Sequence, residues 1–98
     1  MDLSKIPEKY HPDIEKAVFC LKEEGCTAIF LFGSLVTGKY NDSSDIDFGV
    51  MGLSPRKYIR TCSKLSNIME NDFDLVDFDE NRSLYNLLYS IDEIVEIG

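Results

Sequence analysis

The chain has 98 residues, 44% hydrophobic and 29% charged, a profile that fits one folded domain with one core and excludes a disordered segment. Its formal net charge is −8, which speaks against a duplex- or tRNA-binding protein, since such binding draws on clustered Lys and Arg. The same charge is compatible with a small nucleotide, whose phosphates Mg²⁺ can bridge to carboxylates, and it suits a basic protein partner.

No repeat, low-complexity stretch or linker divides the chain, so residues 1–98 read as a single domain. Ile14, Ala17, Val18 and Leu21 recur at helical spacing and predict a helix over 12–24, stopped by Gly25. Residues 27–32 are short, apolar and β-rich, which predicts a buried strand that Gly33-Ser34 ends sharply. Residues 34–39 suit one or two helical turns, and 40–44 carry turn chemistry. Over 45–50 polar or small residues alternate with apolar ones, the pattern of a half-buried strand. Ser54-Pro55 opens a helix that runs to about Glu70, with Tyr58, Cys62, Leu65 and Met69 on one face. A third strand follows over 73–78, then a helix over 81–90 carried by Leu84, Leu87, Leu88 and Ile91, and a short closing strand over 93–97. The order predicts an α+β (α/β-like) domain with a small mixed β-sheet flanked by helices.

The cysteines Cys20, Cys26 and Cys62 are odd in number and lack CxxC spacing. Neither a disulfide framework nor a zinc site is indicated, and buried thiols in a reducing cytosol are expected. The single histidine, His11, is expected at the surface or at a helix cap. No signal peptide is visible, and the longest apolar run, 28–32, falls far below the roughly 20 residues a bilayer needs. A cytoplasmic location is therefore expected.

The chemistry concentrates in one stretch. Asp45 and Asp47 are two apart in a strand, so both side chains leave one face, their Cα atoms about 6.6 Å apart. Ile46, Phe48 and Val50 point the other way and anchor the strand. Adjacent like charges on one face repel unless a cation neutralises them, and hard carboxylate oxygens suit Mg²⁺ or Mn²⁺. Alone, an Asp-x-Asp in so acidic a chain is more often a solvated edge. Asp74 can supply a third carboxylate if its strand lies beside the first pair. Asp74 and Asp77 are an odd number of residues apart and face opposite ways, so only one of them can join the site from this strand. Gly33 allows close approach of a phosphate, and Ser34 offers a hydroxyl and an N–H where a short helix begins. Alone, Gly-Ser after a strand is an ordinary turn.

Two other motifs fail. Residues 33–39 match G-x-x-x-x-G-K, but a P-loop needs Ser or Thr next, where Tyr40 stands. An EF-hand loop starting at Asn41 would place Ile46 at its glycine position and Gly52 at its glutamate position.

Taken together, Leu31-Phe32-Gly33-Ser34, Gly38, Ser44-Asp45-Ile46-Asp47-Phe48 and Phe73-Asp74-Leu75-Val76 closely resemble the minimal nucleotidyltransferases of the DNA-polymerase-β-like superfamily. Each part is weak; in order and on these elements they are strong. The resemblance covers the chain from about Thr27 to its end. It implies that Gly33 and Ser34 hold nucleotide phosphates. It implies that Asp45, Asp47 and Asp74 ligate a pair of divalent ions, Mg²⁺ or Mn²⁺, with Asp74 also helping to deprotonate the acceptor hydroxyl. It implies attack of that hydroxyl on the α-phosphate of a nucleoside triphosphate, with loss of pyrophosphate. The family's turn often carries an arginine where Leu35 and Val36 stand here; Lys39 is the nearest substitute, without guanidinium geometry.

The resemblance also implies partners. A catalytic core this small is expected to be completed by a second subunit or a dimer. Stand-alone minimal domains of the family are often paired with a small helical HEPN protein, as toxin and antitoxin, the transferase moving AMP from ATP onto a tyrosine of the toxin. Membrane or nucleic-acid partners are not expected. The alternative is a catalytically weak antitoxin that neutralises its partner by occlusion. Transfer to a small molecule such as an aminoglycoside ranks last, for want of a substrate-binding domain.

Overall fold

A computed structural model describes residues 3–98. After a 3-10 turn at Glu8–Tyr10 the elements are α1 (His11–Glu23), β1 (Ala28–Phe32), α2 (Ser34–Thr37), β2 (Ile46–Met51), α3 (Tyr58–Ile68), β3 (Phe73–Asp77), α4 (Arg82–Ser90) and β4 (Ile94–Glu96). The four strands form one sheet in the order β3-β2-β1-β4. β1 pairs antiparallel with β2 and with β4, whereas β2 and β3 run parallel. The parallel pair follows from its connection: α3 crosses from the end of one strand to the start of the next. The α+β class and the mixed sheet are as expected.

Helices cover both faces. Ile29 and Leu31 of β1, Ile46, Phe48 and Val50 of β2, and Leu75 of β3 pack with Ile14, Ala17, Val18 and Leu21 of α1 and Leu65 of α3. Phe30 points to the opposite face, where it packs with Phe78 and Leu88, flanked by Phe32, Val76, Leu84 and Tyr85. The Phe78 ring lies 5.8 Å from Phe30, 5.6 Å from Phe32 and 5.5 Å from Tyr85, centroid to centroid. Room for it comes from Gly49, where a Cβ would fall 1.9 Å from the Phe78 ring.

Local differences from the sequence reading have physical reasons. β2 begins at Ile46, so Asp45 lies just before the ladder. The helix after Pro55 starts as a 3-10 turn, Pro55–Lys57, with no side-chain cap from Ser54. On α4 the inward stripe is Leu84, Tyr85 and Leu88. Leu87 and Ile91, expected inward, are 55% and 49% exposed, because Tyr85 turns onto the Phe30–Phe78 pair and rotates the buried stripe. The cysteines are half-buried thiols, and burial pushes Cys26 up to about 11. His11 opens α1, its Nε2 2.7 Å from the Ile6 carbonyl oxygen. Among the described residues no helix is long and apolar enough to cross a membrane.

Candidate active site

The site lies where β1 ends and β2, β3 and β4 begin. Asp47 is the register partner of Phe32 on β1 and of Asp74 on β3. Because Ile46, Phe48 and Leu75 are committed to the α1–α3 core, strand alternation sends Asp47 and Asp74 to the opposite face. Farther along that face Gly49, Val76 and the aromatic cluster under α4 close the surface. Two facing carboxylates thus stand at the open end of an otherwise covered sheet. Asp77 faces away from them and is buried, its Oδ1 accepting the Asp79 N–H at 2.9 Å.

Gly33 joins this pair in a way the sequence did not show. Its φ of +76° and ψ of −153° form a backbone conformation open to glycine almost alone. A Cβ at Gly33 would also fall 2.0 Å from Asp47 Oδ2. The missing side chain therefore makes room for the Asp47 carboxylate, a demand for glycine beyond the phosphate approach expected from the sequence. Ser34 opens α2 directly beside it, and the turn is closed by bonds from Val36 and Thr37 N–H to the Gly33 carbonyl, both 3.1 Å.

Burial raises the Asp47 carboxyl to about 6, helped by the negative charges of Asp74 and then Asp45. Asp74 and Asp45 therefore both act electrostatically on Asp47. Asp45 is the least drawn in: it lines a polar cleft of about 410 Å³ with Glu70, Asn71 and Asp72 of the loop before β3. Among the described residues no three His, Cys, Asp or Glu side chains are already gathered around one point for a cation. Mutual repulsion at the Asp47 carboxylate opposes such a gathering. The donor set, carboxylate oxygens only, fits a hard divalent ion.

The turn supplies no cation of its own. Leu35 is 2% exposed and Val36 packs against the same core, so both positions where an arginine would stand are spent on packing. Lys39 is exposed just beyond Gly38, the left-handed residue that ends α2.

Two residues that drew no attention in the sequence hold the loops leading into the site. The Tyr10 hydroxyl sits 3.5 Å from the Asn41 carbonyl oxygen and 3.3 Å from that of Ser44. The Asp13 carboxylate accepts N–H bonds from Glu70 and Asn71. A first-turn Asp reads as an ordinary helix-dipole residue; only its burial, at 2% exposure, marks it as more.

The sequence profile of the family described as Polymerase beta, Nucleotidyltransferase matches residues 15–95, most of the chain and all three aspartates. The chain belongs to this nucleotidyltransferase family. Several solved structures resemble this nucleotidyltransferase domain. A toxin–antitoxin structure with AMP-PNP shares 30% identity at a TM-score of 0.56, over 66% of this chain and 56% of that one. A mutant of the MntA–HpeT toxin–antitoxin, with two aspartates two positions apart replaced by glutamate, shares 27% at a TM-score of 0.54 over the same shares. A tyrosine-to-alanine mutant of MntA–HpeT shares 24% at a TM-score of 0.65, over 87% of this chain and 71% of that one, which shows a common fold. The domain thus aligns to a little over half the length of the first two of these chains. No curated protein matches it.

Proposed function

We propose that the chain is a Mg²⁺-dependent nucleotidyltransferase that moves a nucleoside monophosphate, AMP from ATP, onto a hydroxyl, and that the acceptor is a tyrosine of a helical, HEPN-type toxin partner. The observation that carries this is the register pairing of Asp47 with Asp74 beside Gly33, with Asp45 acting on the same site. Likeness to toxin–antitoxin structures, one with the ATP analogue AMP-PNP, supports the nucleotide and the partner. That one of those structures carries changes at two aspartates spaced as Asp45 and Asp47 are supports a central role for the pair.

Asp45, Asp47 and Asp74 would hold the metal ions. When bound, such ions offset charge on the attacking and leaving oxygens of the transfer. Ser34 offers its hydroxyl to the triphosphate, and Gly33 keeps the turn tight against Asp47. Asp74, exposed at the start of β3, takes the proton of the acceptor hydroxyl. That oxygen forms a bond to the α-phosphorus while the bond to the pyrophosphate leaving group breaks. The protein's contribution is chiefly to position these groups.

One observation favours a second reading, a binding antitoxin that neutralises its partner by occlusion. Leu35 and Val36 are packed into the core and leave the turn without an arginine. Incubation with Mg²⁺, each nucleoside triphosphate and a candidate helical partner, followed by intact-mass measurement, separates the two. The transferase reading requires a nucleotidyl adduct on the partner that disappears with Asp45→Asn plus Asp47→Asn. No adduct on any partner, with tight complex formation retained by that double variant, would establish occlusion instead.

A further inference from the structure

We infer that one face of the start of α1 is a clamp for the site, in which Tyr10 and Asp13 are positioning residues that hold the two loops delivering Asp45 and Asp74. The inference rests on the transferase reading for its functional meaning. The geometry itself does not depend on it.

Tyr10 and Asp13 are three residues apart, and both are buried, at 0% and 2% exposure. Residues at this spacing share a helix face. Tyr10 reaches the loop before β2, where its single hydroxyl proton is shared between the Asn41 and Ser44 carbonyls. Lys9 adds a bond to the Asp42 carbonyl at 3.2 Å. That loop is already a closed turn: the Ser43 N–H bonds Asn41 Oδ1 at 2.9 Å, and the Asn41 N–H bonds Ser44 Oγ at 2.8 Å. Tyr10 therefore fixes a compact unit whose next residue is Asp45.

Asp13 reaches the other loop. Its Oδ1 accepts the Glu70 N–H at 3.0 Å, and its Oδ2 accepts the Asn71 N–H and the Asn71 side-chain amide, both at 2.8 Å. One residue on, the Asp72 carbonyl accepts the Ile46 N–H at 3.0 Å. This bond ties the two loops together between Asp45 and Asp47, two residues before Asp74. The cleft that Asp45 lines has Glu70, Asn71 and Asp72 as its opposite wall. Its width is thus set by two hydrogen-bonded anchors on one helix.

A buried carboxylate satisfied by three donors is an expensive device for stability alone, since apolar packing serves a core as well. Its use here is directional: it aims a loop. Partners of this kind behind metal-binding carboxylates typically alter metal affinity or activity by about 10–100-fold when removed.

The test compares Tyr10→Phe and Asp13→Asn with Glu24→Gln. Glu24 lies at the far end of the same helix region and is paired with Arg60 at 3.2 Å and Lys64 at 2.9 Å, so its variant loosens the α1–α3 packing without touching either loop. Residue-resolved amide exchange and Mn²⁺ titration calorimetry are read on each full-length protein. The clamp requires the Ile46 amide to exchange about tenfold faster relative to Phe30 in Tyr10→Phe and Asp13→Asn, with Mn²⁺ binding weakened at least about tenfold. In Glu24→Gln any acceleration is shared by both amides and Mn²⁺ affinity is kept. Ile46 keeping pace with Phe30 in the clamp variants, or unchanged Mn²⁺ affinity there, overturns the inference. A wild type that binds Mn²⁺ but transfers no nucleotide removes the transferase reading and leaves the clamp standing. A wild type that binds no Mn²⁺ removes the metal reading, and the exchange pattern then decides the clamp.

Discussion

Asp47 and Asp74 face each other across the parallel β2–β3 ladder, on the sheet face that α4 leaves open at this end. A protein gains nothing in stability from such a pair. Burial and the neighbouring charges of Asp74 and Asp45 raise Asp47 to about 6, against an ordinary value of 3.8.

The sign of the resulting pH dependence is set by that raised value. Between about pH 4 and pH 6 the folded state keeps a proton that the unfolded chain has released, so stability falls as pH rises through this window. Discounted for solvent screening, the cost in metal-free protein above the window is about 1–2 kcal/mol. Asp47→Asn is therefore expected to unfold at a higher temperature than the wild type at pH 7.5, by roughly 4–8 °C per kcal/mol. The advantage should shrink towards pH 4, and the variant should transfer no nucleotide. Thermal melts at the two pH values check the first part, and intact masses of the partner the second.

Asp13 is expected to behave oppositely. Burial alone would raise it, but hydrogen bonds from the Glu70 and Asn71 backbone and the Asn71 side chain outweigh burial and hold its carboxyl below the usual range. Its contribution is present above the unfolded pKa and is lost as pH falls through the lowered one. Urea unfolding of Asp13→Asn should show a loss of about 2–3 kcal/mol at pH 7 that closes in strong acid.

Gly33→Ala should be costly on two counts, the positive φ and the approach to Asp47 Oδ2. A loss of about 2–4 kcal/mol is expected, part strain and part steric. Adding Asp47→Ala removes the steric part. Asp47→Ala should thus stabilise the Gly33→Ala protein by more than it stabilises the wild type, where only the relieved charge contributes. Denaturant midpoints of the four proteins complete the cycle.

Phe78→Ala should detach α4 from the sheet. The ring is fully buried and touches Phe30, Phe32 and Tyr85, so truncation is expected to cost about 3–5 kcal/mol. Gly49→Ala should produce a comparable loss through the opposite defect, because its new methyl would occupy the ring's place. Tryptic cleavage within 79–93 under native conditions, absent in the wild type, would report the detachment.

Much of the fold was legible because periodicity carries it. The alternation over 45–50 and the apolar run over 28–32 can be buried in only one way, so the strands and the helices between them followed, whereas the shared face of Asp47 and Asp74 stayed conditional on their strands lying side by side. The stripe on α4 did not follow, because Leu87 and Tyr85 compete for the sheet and the space beneath Gly49 favours the aromatic cluster. The roles of Tyr10 and Asp13 were hidden for a simpler reason. Apart from the Asn71 side-chain amide, their partners are backbone groups 31 to 58 residues away, and backbone groups leave no mark on side-chain sequence.

By itself the sequence determined the α+β class and the order of elements and singled out the residues proposed to ligate a cation, since these depend on local pattern and residue type. The tertiary structure decided the strand order, the pairing of Asp47 with Asp74 and the reason for glycine at position 33. Those are distances between segments far apart in the chain, set by which faces can be buried together. The candidate site is a property of that packing, and its charge repulsion is tolerated because the two covered faces of the sheet hold it in place.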